Sequence, residues 1–440
     1  MALPNNTLQQ VQTYQESSLG YLQNLCCFVS TANTKFKDFQ NKTANLGDSI
    51  TFDLPPRYTS AQGLVASFQA SQQRQQTLTC DQAANTSFAF TDQQFIFNVR
   101  DYMEKFGKSA TEELATQVES SVALNAASAV PVMSINSNGQ SIPTGALHTE
   151  SGPFRFFGDG TTAINSYQQL AQMVTNFKNF GAVKTGIKVY LPDTIIPGII
   201  GSGLNQFAPE RNNKDAMSWE IGMFGTPPVE YYQSNLLPIH TAGTIGENGT
   251  VLTVVSTNDS TGANVTQITF SGAGTDADAI KSGDLFQFND GVSGKPNMRF
   301  LTFIGHKESA QPVQFRATAN AASSGGNVTV TLSAGSQGLV SQAGANQNIN
   351  NPITAGMQVT VLPSHRCGLV VGGDALYIAM PALPNTTPFP SSNKSDPNTG
   401  VSMRNYYGTL FGQNQQGYVY DCIWASTLVP EYSMRIAFPL

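Results

Sequence analysis

Residues 47–63, "GDSITFDLPPRYTSAQG", hold the pattern from which the fold is read. Ile50, Phe52 and Leu54 alternate with Ser49, Thr51 and Asp53, the period-two signature of a half-buried strand. The pattern stops at Pro55-Pro56 and gives way to Ser, Gln and Ala, with almost no residue able to fill a core. A second strand pattern follows in "NTSFAFTDQQFIF", where Phe88 and Phe90, then Phe95 and Phe97, alternate with polar residues. Two strands joined across the polar run "SAQGLVASFQASQQRQQTLTCDQAA" predict an extended β-hairpin, with the Ile50 strand facing the Phe88 strand. Pro55 and Pro56 then sit at the edge of a two-stranded ribbon, where a missing ladder N–H is tolerated.

Composition supports a chain built for self-contact. Of its 440 residues 40% are hydrophobic and only 12% are charged, about half the usual ~25%. Asn, Gln, Ser, Thr and Gly stand in for the missing charge, so a partner surface has few ions to desolvate. An extracellular β-rich protein with an uncharged surface fits the same composition. The net charge of −6, with no cluster of five Lys or Arg, argues against sequence-independent nucleic-acid binding. No apolar run of ~20 residues spans a membrane. "MALPNNTLQQVQ" has no basic or apolar leader region, so a cytoplasmic origin is expected. Cys26, Cys27, Cys80, Cys367 and Cys422 are odd in number and scattered, which predicts free thiols.

Along the chain, residues 1–43 read as a polar arm, whose few apolar positions promise little contact within one subunit. "GKSATEELATQVESSVALNAASA", 107–129, is the clearest helix, with Ala110, Leu114, Val118, Val122 and Ala126 on one narrow face. Residues 162–180 predict a second helix, capped by Thr161 or Thr162 and ended by Gly181. "GIKVYLP" reads as a buried strand and "DTIIPGIIGSGLNQF" as a helix capped by Asp193. From about 243 to 363, seven short strand-like runs punctuated by Gly, Asn, Asp and Ser predict a small barrel or sandwich inserted as a unit. "GLVVGGDALYIAMPAL" then returns to the earlier style, and the C-terminus reads as two strands around "STLVPE".

Motifs that could carry chemistry fail on their spacing. Gly107-Lys108-Ser109 has Tyr102 where a phosphate-binding loop needs glycine. Ser202 in "GIIGSGLN" has Ile200 and Leu204 where a nucleophile elbow needs glycines. Asp101, Glu104, Glu112 and Glu113 cluster near a helix start, where carboxylates complement the dipole. Asp276 and Asp278 lack the further oxygens of a calcium loop. His365-Arg366-Cys367 places two reactive residue types side by side without fixing their geometry. The four histidines are dispersed and no C-x-x-C occurs. No catalytic residue, metal or cofactor is assigned, and the chain is not expected to be an enzyme.

The order of these segments, together with "GDSITFDLPPRYT", "SATEELATQVESSVA", "KVYLP", "ITFSGAGTDADAIKSGDLFQF", "NINNPITAGMQVTVLP" and "GLVVGGDALYIA", resembles the major capsid proteins of tailed double-stranded-DNA phages. Within them it is most similar to the coat protein of short-tailed Salmonella-type phages, which carries an extra β-barrel. The resemblance implies an α+β Hong Kong 97-type capsid fold. Its parts would be an N-terminal arm at 1–43, an E-loop hairpin at 44–95 and a P (peripheral) domain at 96–149 with its spine helix. P and A (axial) domain segments would follow at 150–242, an inserted antiparallel β-barrel at 243–364, and the A/P return at 365–440. It implies an icosahedral shell of pentamers and hexamers, assembled in a host cytoplasm with a scaffolding protein and a portal. A decoration protein is a further implied partner, and the shell encloses DNA in the virion without sequence-specific binding or a membrane. Contacts between subunits are expected from Ile50, Phe52, Leu54, Arg57, Tyr58, Arg74, Phe88 and Phe90 of the E-loop, and from Asp290 and Lys295 in "DGVSGKPN" of the insert. The alternatives are a cellular nanocompartment shell of the same fold and a β-rich binding or adhesion protein.

Overall fold

A computed structural model describes residues 27–34, 49–60, 68, 74–91, 106–127, 131–135, 141–147, 152–182, 186–195, 197–198, 229–335, 337–384, 391–395, 401–409 and 414–440. Helix α1 (Cys27–Thr31) is followed by the ribbon strands β1 (Ser49–Leu54) and β2 (Arg74–Thr79), then by β3 (Gln82–Thr91). The ribbon corrects the expected hairpin. β1 pairs antiparallel with β2, while the Phe88 strand pairs instead with Gln415–Leu428 near the C-terminus. "RQQTLT" had no strand signal because its inward positions include a polar one. Leu78 and Gln76 are both buried, and Gln76 is satisfied by donating to Thr427 Oγ1 at 2.9 Å.

Helix α2 (Lys108–Ala127) lies where the i+4 pattern placed it, but its buried face is broad. Thr111, Ala115, Glu119 and Ala123 are buried as well as the predicted stripe, because the helix is covered on two sides. Leu114, Val118 and Val122 share a core with Tyr420, Cys422 and Trp424, and with Phe28 and Val29 of α1. Part of the expected arm is therefore core: Phe28 is fully buried and stacked on Tyr190 at 4.1 Å. Glu119 accepts the Phe28 and Val29 N–H groups at 2.6 and 3.3 Å, satisfying orphan donors of the short helix. The apolar positions read between 11 and 25 lie outside the described residues.

β4 (Pro131–Ile135) and β5 (Ser141–Leu147) pair with each other. β6 (Phe156–Phe157) and α3 (Tyr167–Asn179) follow. The cap of α3 is Ser166, not a threonine: Ser166 and Gln169 form a reciprocal capping box. Thr161 and Thr162 donate their N–H groups to Asp159 in the preceding turn. Gly181 follows the helix at φ +75°, as a terminating glycine does. β7 (Ile187–Leu191), β8 (Glu230–Gln233) and β9 (Ile239–His240) come next. Asp193 opens only a 3₁₀ turn, Asp193–Ile195. Of the helix expected beyond it, most residues lie outside those described.

After α4 (Thr244–Glu247) the chain runs through β10 (Leu252–Thr257), β11 (Gln267–Ser271), β12 (Asp276–Ile280), β13 (Leu285–Phe288), β14 (Arg299–Leu301), β15 (Glu308–Pro312), β16 (Gln314–Ala317), β17 (Ala321–Ser323), β18 (Asn327–Ser333) and β19 (Gln358–Val361). Six of them close a barrel in the order β10-β11-β18-β16-β13-β19. Its interior is filled by Phe270, Phe286 and Phe315, with the last two stacked at 4.8 Å. Of the seven runs read as strands, "MRFLTFIG" stays out of the barrel and forms a side hairpin, β14–β15.

β20 (His365–Gly372), β21 (Leu376–Ala379), β22 (Ser391–Ser395), β23 (Ser402–Thr409), β24 (Gln415–Leu428) and β25 (Ser433–Phe438) complete the body. One mixed sheet runs β6-β25-β20-β7-β8, and the apolar face of α3 packs on it. A second is built around β24, which joins β3, β23 and β21. The architecture is thus α+β and strand-rich, with one closed barrel. The barrel hangs between β9 and β20, which pair directly through His240 and His365.

Candidate functional site

The residues expected to touch other subunits fall into three places. The first is the base of the ribbon. Leu54 and Arg57 are buried, Phe52 packs on Tyr377 at 4.6 Å, and Ile50 lies half-buried opposite Leu78. Arg57 lays its guanidinium over the Phe303 ring, 4.6 Å from the centroid, and donates to the Phe303 and Gln347 carbonyls at 3.3 and 3.4 Å. His306 Nε2 donates to the Ala345 carbonyl at 3.0 Å, so its 3.5 Å approach to Arg57 is only a contact. Arg74 binds Glu431 Oε1 at 2.7 Å, donates to the Pro55 carbonyl at 3.2 Å and also faces Phe303, at 5.3 Å. Burial, together with the neighbouring Arg74 charge, pulls the Arg57 guanidinium down to about 10. Tyr58 alone projects, 60% exposed.

The second place is the sheet around β24. Phe88 stacks on Tyr418 at 5.4 Å, and Phe90 meets Phe106 edge-on at 4.9 Å. The third is the insert loop, where exposed Asp290 is ion-paired with Arg299 at 2.6 Å and Lys295 is half-buried. The fold therefore brings Arg57 and Arg74 together, and Phe88 beside Phe90. What the sequence reading missed is the opposite half of the ribbon base: Phe303, Gln347 and Glu431. All three lie more than 240 residues from Arg57, and neither spacing nor composition marks them.

The seam between barrel and body is polar and buried. β16 is buried on both sides, because its outward residues face the body rather than solvent, and β13 is buried at every position but Gln287. Gln314 bridges to the backbone of Phe156, accepting from its N–H at 2.9 Å and donating to its carbonyl at 3.2 Å. Arg435 donates to the Gly283 carbonyl at 3.0 Å. Arg155 donates to the carbonyls of Glu431 and Ser433 and lies 4.1 Å over Phe180. Asp284 accepts from the Lys281 and Gly243 N–H groups and bonds His240 Nε2 at 2.8 Å.

Of the motifs set aside on spacing, those among the described residues sit in structural surroundings. Gly107-Lys108-Ser109 leads into α2, where Thr111 Oγ1 donates to the Gly107 carbonyl at 2.8 Å. His365 is fully buried, with Nδ1 donating to the Pro363 carbonyl at 2.7 Å. Burial, with the charge of Arg435 nearby, pulls it down to about 3. The Cys367 thiol is pushed up by burial, away from the thiolate a nucleophile needs. Asp276 accepts the Asp278 N–H on an exposed strand. Ser202, Asp101 and Glu104 lie outside the described residues. Among the described residues no group of three His, Cys, Asp or Glu is placed to hold a metal, and no disulfide joins the cysteines.

No family model and no curated protein matches the sequence. Among solved structures, the chain aligns with one of Mycobacterium phage Che8 at 9% identity and a TM-score of 0.41, covering 93% of this chain and 90% of that one. The capsid of Ralstonia phage GP4 gives 9% identity and a TM-score of 0.41, over 93% and 87% of the two chains. The capsid structure of the cyanophage P-SCSP1u gives 9% and 0.38, over 92% and 88%. At these identities and TM-scores the likenesses by themselves fix neither the chain's family nor its work.

Proposed function

We propose that this chain is a major capsid protein of the Hong Kong 97 type with a barrel inserted in its body. The observation that carries the reading is the order of its parts. A docked N-terminal segment, a two-stranded ribbon, a long helix buried on two sides and a mixed sheet are followed by a closed barrel inserted between paired strands of that sheet. That is the order the sequence resemblance implies for arm, E-loop, spine helix, P and A domains, and insert. On this reading the segments run 1–43, 44–95, 96–149, 150–242, 243–364 and 365–440. The outward faces of the ribbon, Ser49, Thr51 and Asp53 opposite Thr79, Thr77 and Gln75, are polar and carry one charge. Such a surface costs little to desolvate against a second copy.

The work is then mechanical. Copies of one chain form the pentamers and hexamers of a shell around packaged DNA, with a scaffolding protein, a portal and a decoration protein as partners. The ribbon and arm change direction between assembly and maturation. Ile50, Phe52, Tyr58, Phe88, Asp290 and Lys295 remain the proposed contacts with neighbours, while Leu54, Arg57, Arg74 and Phe90, whose side chains are largely buried, act by shaping the surface from within. The test is co-expression with the scaffolding protein encoded beside it, followed by negative-stain microscopy. Closed icosahedral particles are expected; a monodisperse monomer under those conditions overturns the proposal.

A further inference from the structure

We propose that the insert's side hairpin, β14–β15, is a clasp that sets the direction of the β1–β2 ribbon, with the Phe303 ring as the platform on which Arg57 and Arg74 close. A two-stranded ribbon is marginal by itself and takes its direction from what holds its base. Here the base is held from three parts of the chain. Arg57 and Arg74 flank the ribbon, Phe303 comes from the insert, and Glu431 comes from the turn between β24 and β25. Tyr432 meets Phe303 edge-on at 6.1 Å.

The contact is built rather than incidental. Arg57 is only 8% exposed and Phe303 is 8% exposed, so the cation lies on the ring with little water between. The Phe303 carbonyl accepts from the same guanidinium, which fixes the fork as well as the charge. Glu431 is crowded from the insert side too: a Cβ at Gly335, whose φ is +109°, would stand 2.9 Å from Glu431 Oε1. The β14–β15 turn ends in His306, a non-glycine residue at φ +49°, held there by its bond to Ala345. Barrel, ribbon and C-terminal turn are thereby coupled, and a shift of the insert moves the ribbon with it. Its consequence for shell assembly rests on the capsid reading; the clasp itself does not.

Hydrogen exchange on the full, unassembled chain tests it. Phe303→Ala is expected to speed exchange of the Ser49–Leu54 and Arg74–Thr79 amides about 30-fold, as loss of a desolvated cation–π platform and its packing implies. The barrel strands Gln267–Ser271 and Asn327–Ser333 should keep their wild-type rates. Ribbon rates within about threefold of wild type, or an equal rise in ribbon and barrel, overturn the clasp. Should Phe303→Ala not fold, Arg57→Gln carries the same comparison from the ribbon side, with the same two refuting outcomes. If Phe303→Ala shows the expected exchange pattern but the wild-type chain forms no particles with its scaffolding protein, the capsid reading falls and the clasp stands. Particles from the wild-type chain, with no such pattern in Phe303→Ala, do the reverse.

Discussion

Lowering the pH should unlock the seam at His365, by an amount that can be worked from its surroundings. The ring donates through Nδ1 to the Pro363 carbonyl, and its Nε2 is buried with no hydrogen-bond partner among the described residues. His240 lies 5.5 Å away ring to ring, itself tied to Asp284, and the Arg435 guanidinium bears on both rings. A second proton would therefore enter a dry site beside a cation. Folding holds the ring at about 3, against 6.5 for an ordinary histidine. The unfolded chain thus takes up a proton that the folded chain refuses. Stability is complete above about pH 7 and drains as pH falls from 6.5 towards 3. Between pH 7 and pH 5 the loss from this one residue is about 2 kcal/mol. His365→Asn keeps a donor for the Pro363 carbonyl but removes the titration. Urea unfolding of the unassembled wild type and variant at pH 7, 6 and 5 should show the wild type losing about 2 kcal/mol more than the variant. Parallel losses, within ~0.5 kcal/mol, would refute the reasoning.

Glu119→Ala strips the acceptor from the Phe28 and Val29 N–H groups and should cost about 2–4 kcal/mol in a denaturant titration; a cost below ~0.5 kcal/mol would mean that α1 is not docked through this carboxylate. Ser166→Ala removes the capping box of α3 and should cost about 1 kcal/mol by the same measurement. Deleting 246–360 uncovers Phe154 and Phe180, which pack edge-on against Phe300 at 5.7 and 5.6 Å, so the remaining chain should aggregate on expression; a soluble, cooperatively melting product would contradict this. Cys367 and Cys422 are buried with thiols pushed up by burial, and should react with a thiol reagent at pH 8 only after denaturation, which a timed colorimetric assay would show.

The site was legible in part. Arg57 and Arg74 could be marked as residues of the hairpin, but not as partners of one ring. Ser166 and Gln169 carry the spacing of a capping box, a signal legible in the sequence that outranks the threonines nearer the start of the apolar pattern. Phe28 was read as part of an arm, because a five-residue helix gives too short a pattern to show which face is buried.

Local pattern alone determined helix α2, whose i+4 spacing survives in the fold, and the strands of the barrel region, whose short alternating runs each became strands. Both are governed by contacts within a turn or between neighbouring strands, so their signal is written in consecutive residues. Tertiary structure alone decided which strand the opening stretch would meet. "GDSITFDLPPRYTSAQG" pairs with the polar "RQQTLT" because Gln76 finds Thr427 and Arg74 finds Glu431, partners more than 350 residues away. A polar side chain can occupy an inward position once it is satisfied, and where its partner lies is a property of the fold rather than of its neighbours in sequence. For the same reason Gln314 and Arg316 of β16 are buried: the barrel's outer face became an inner one when it settled against the body.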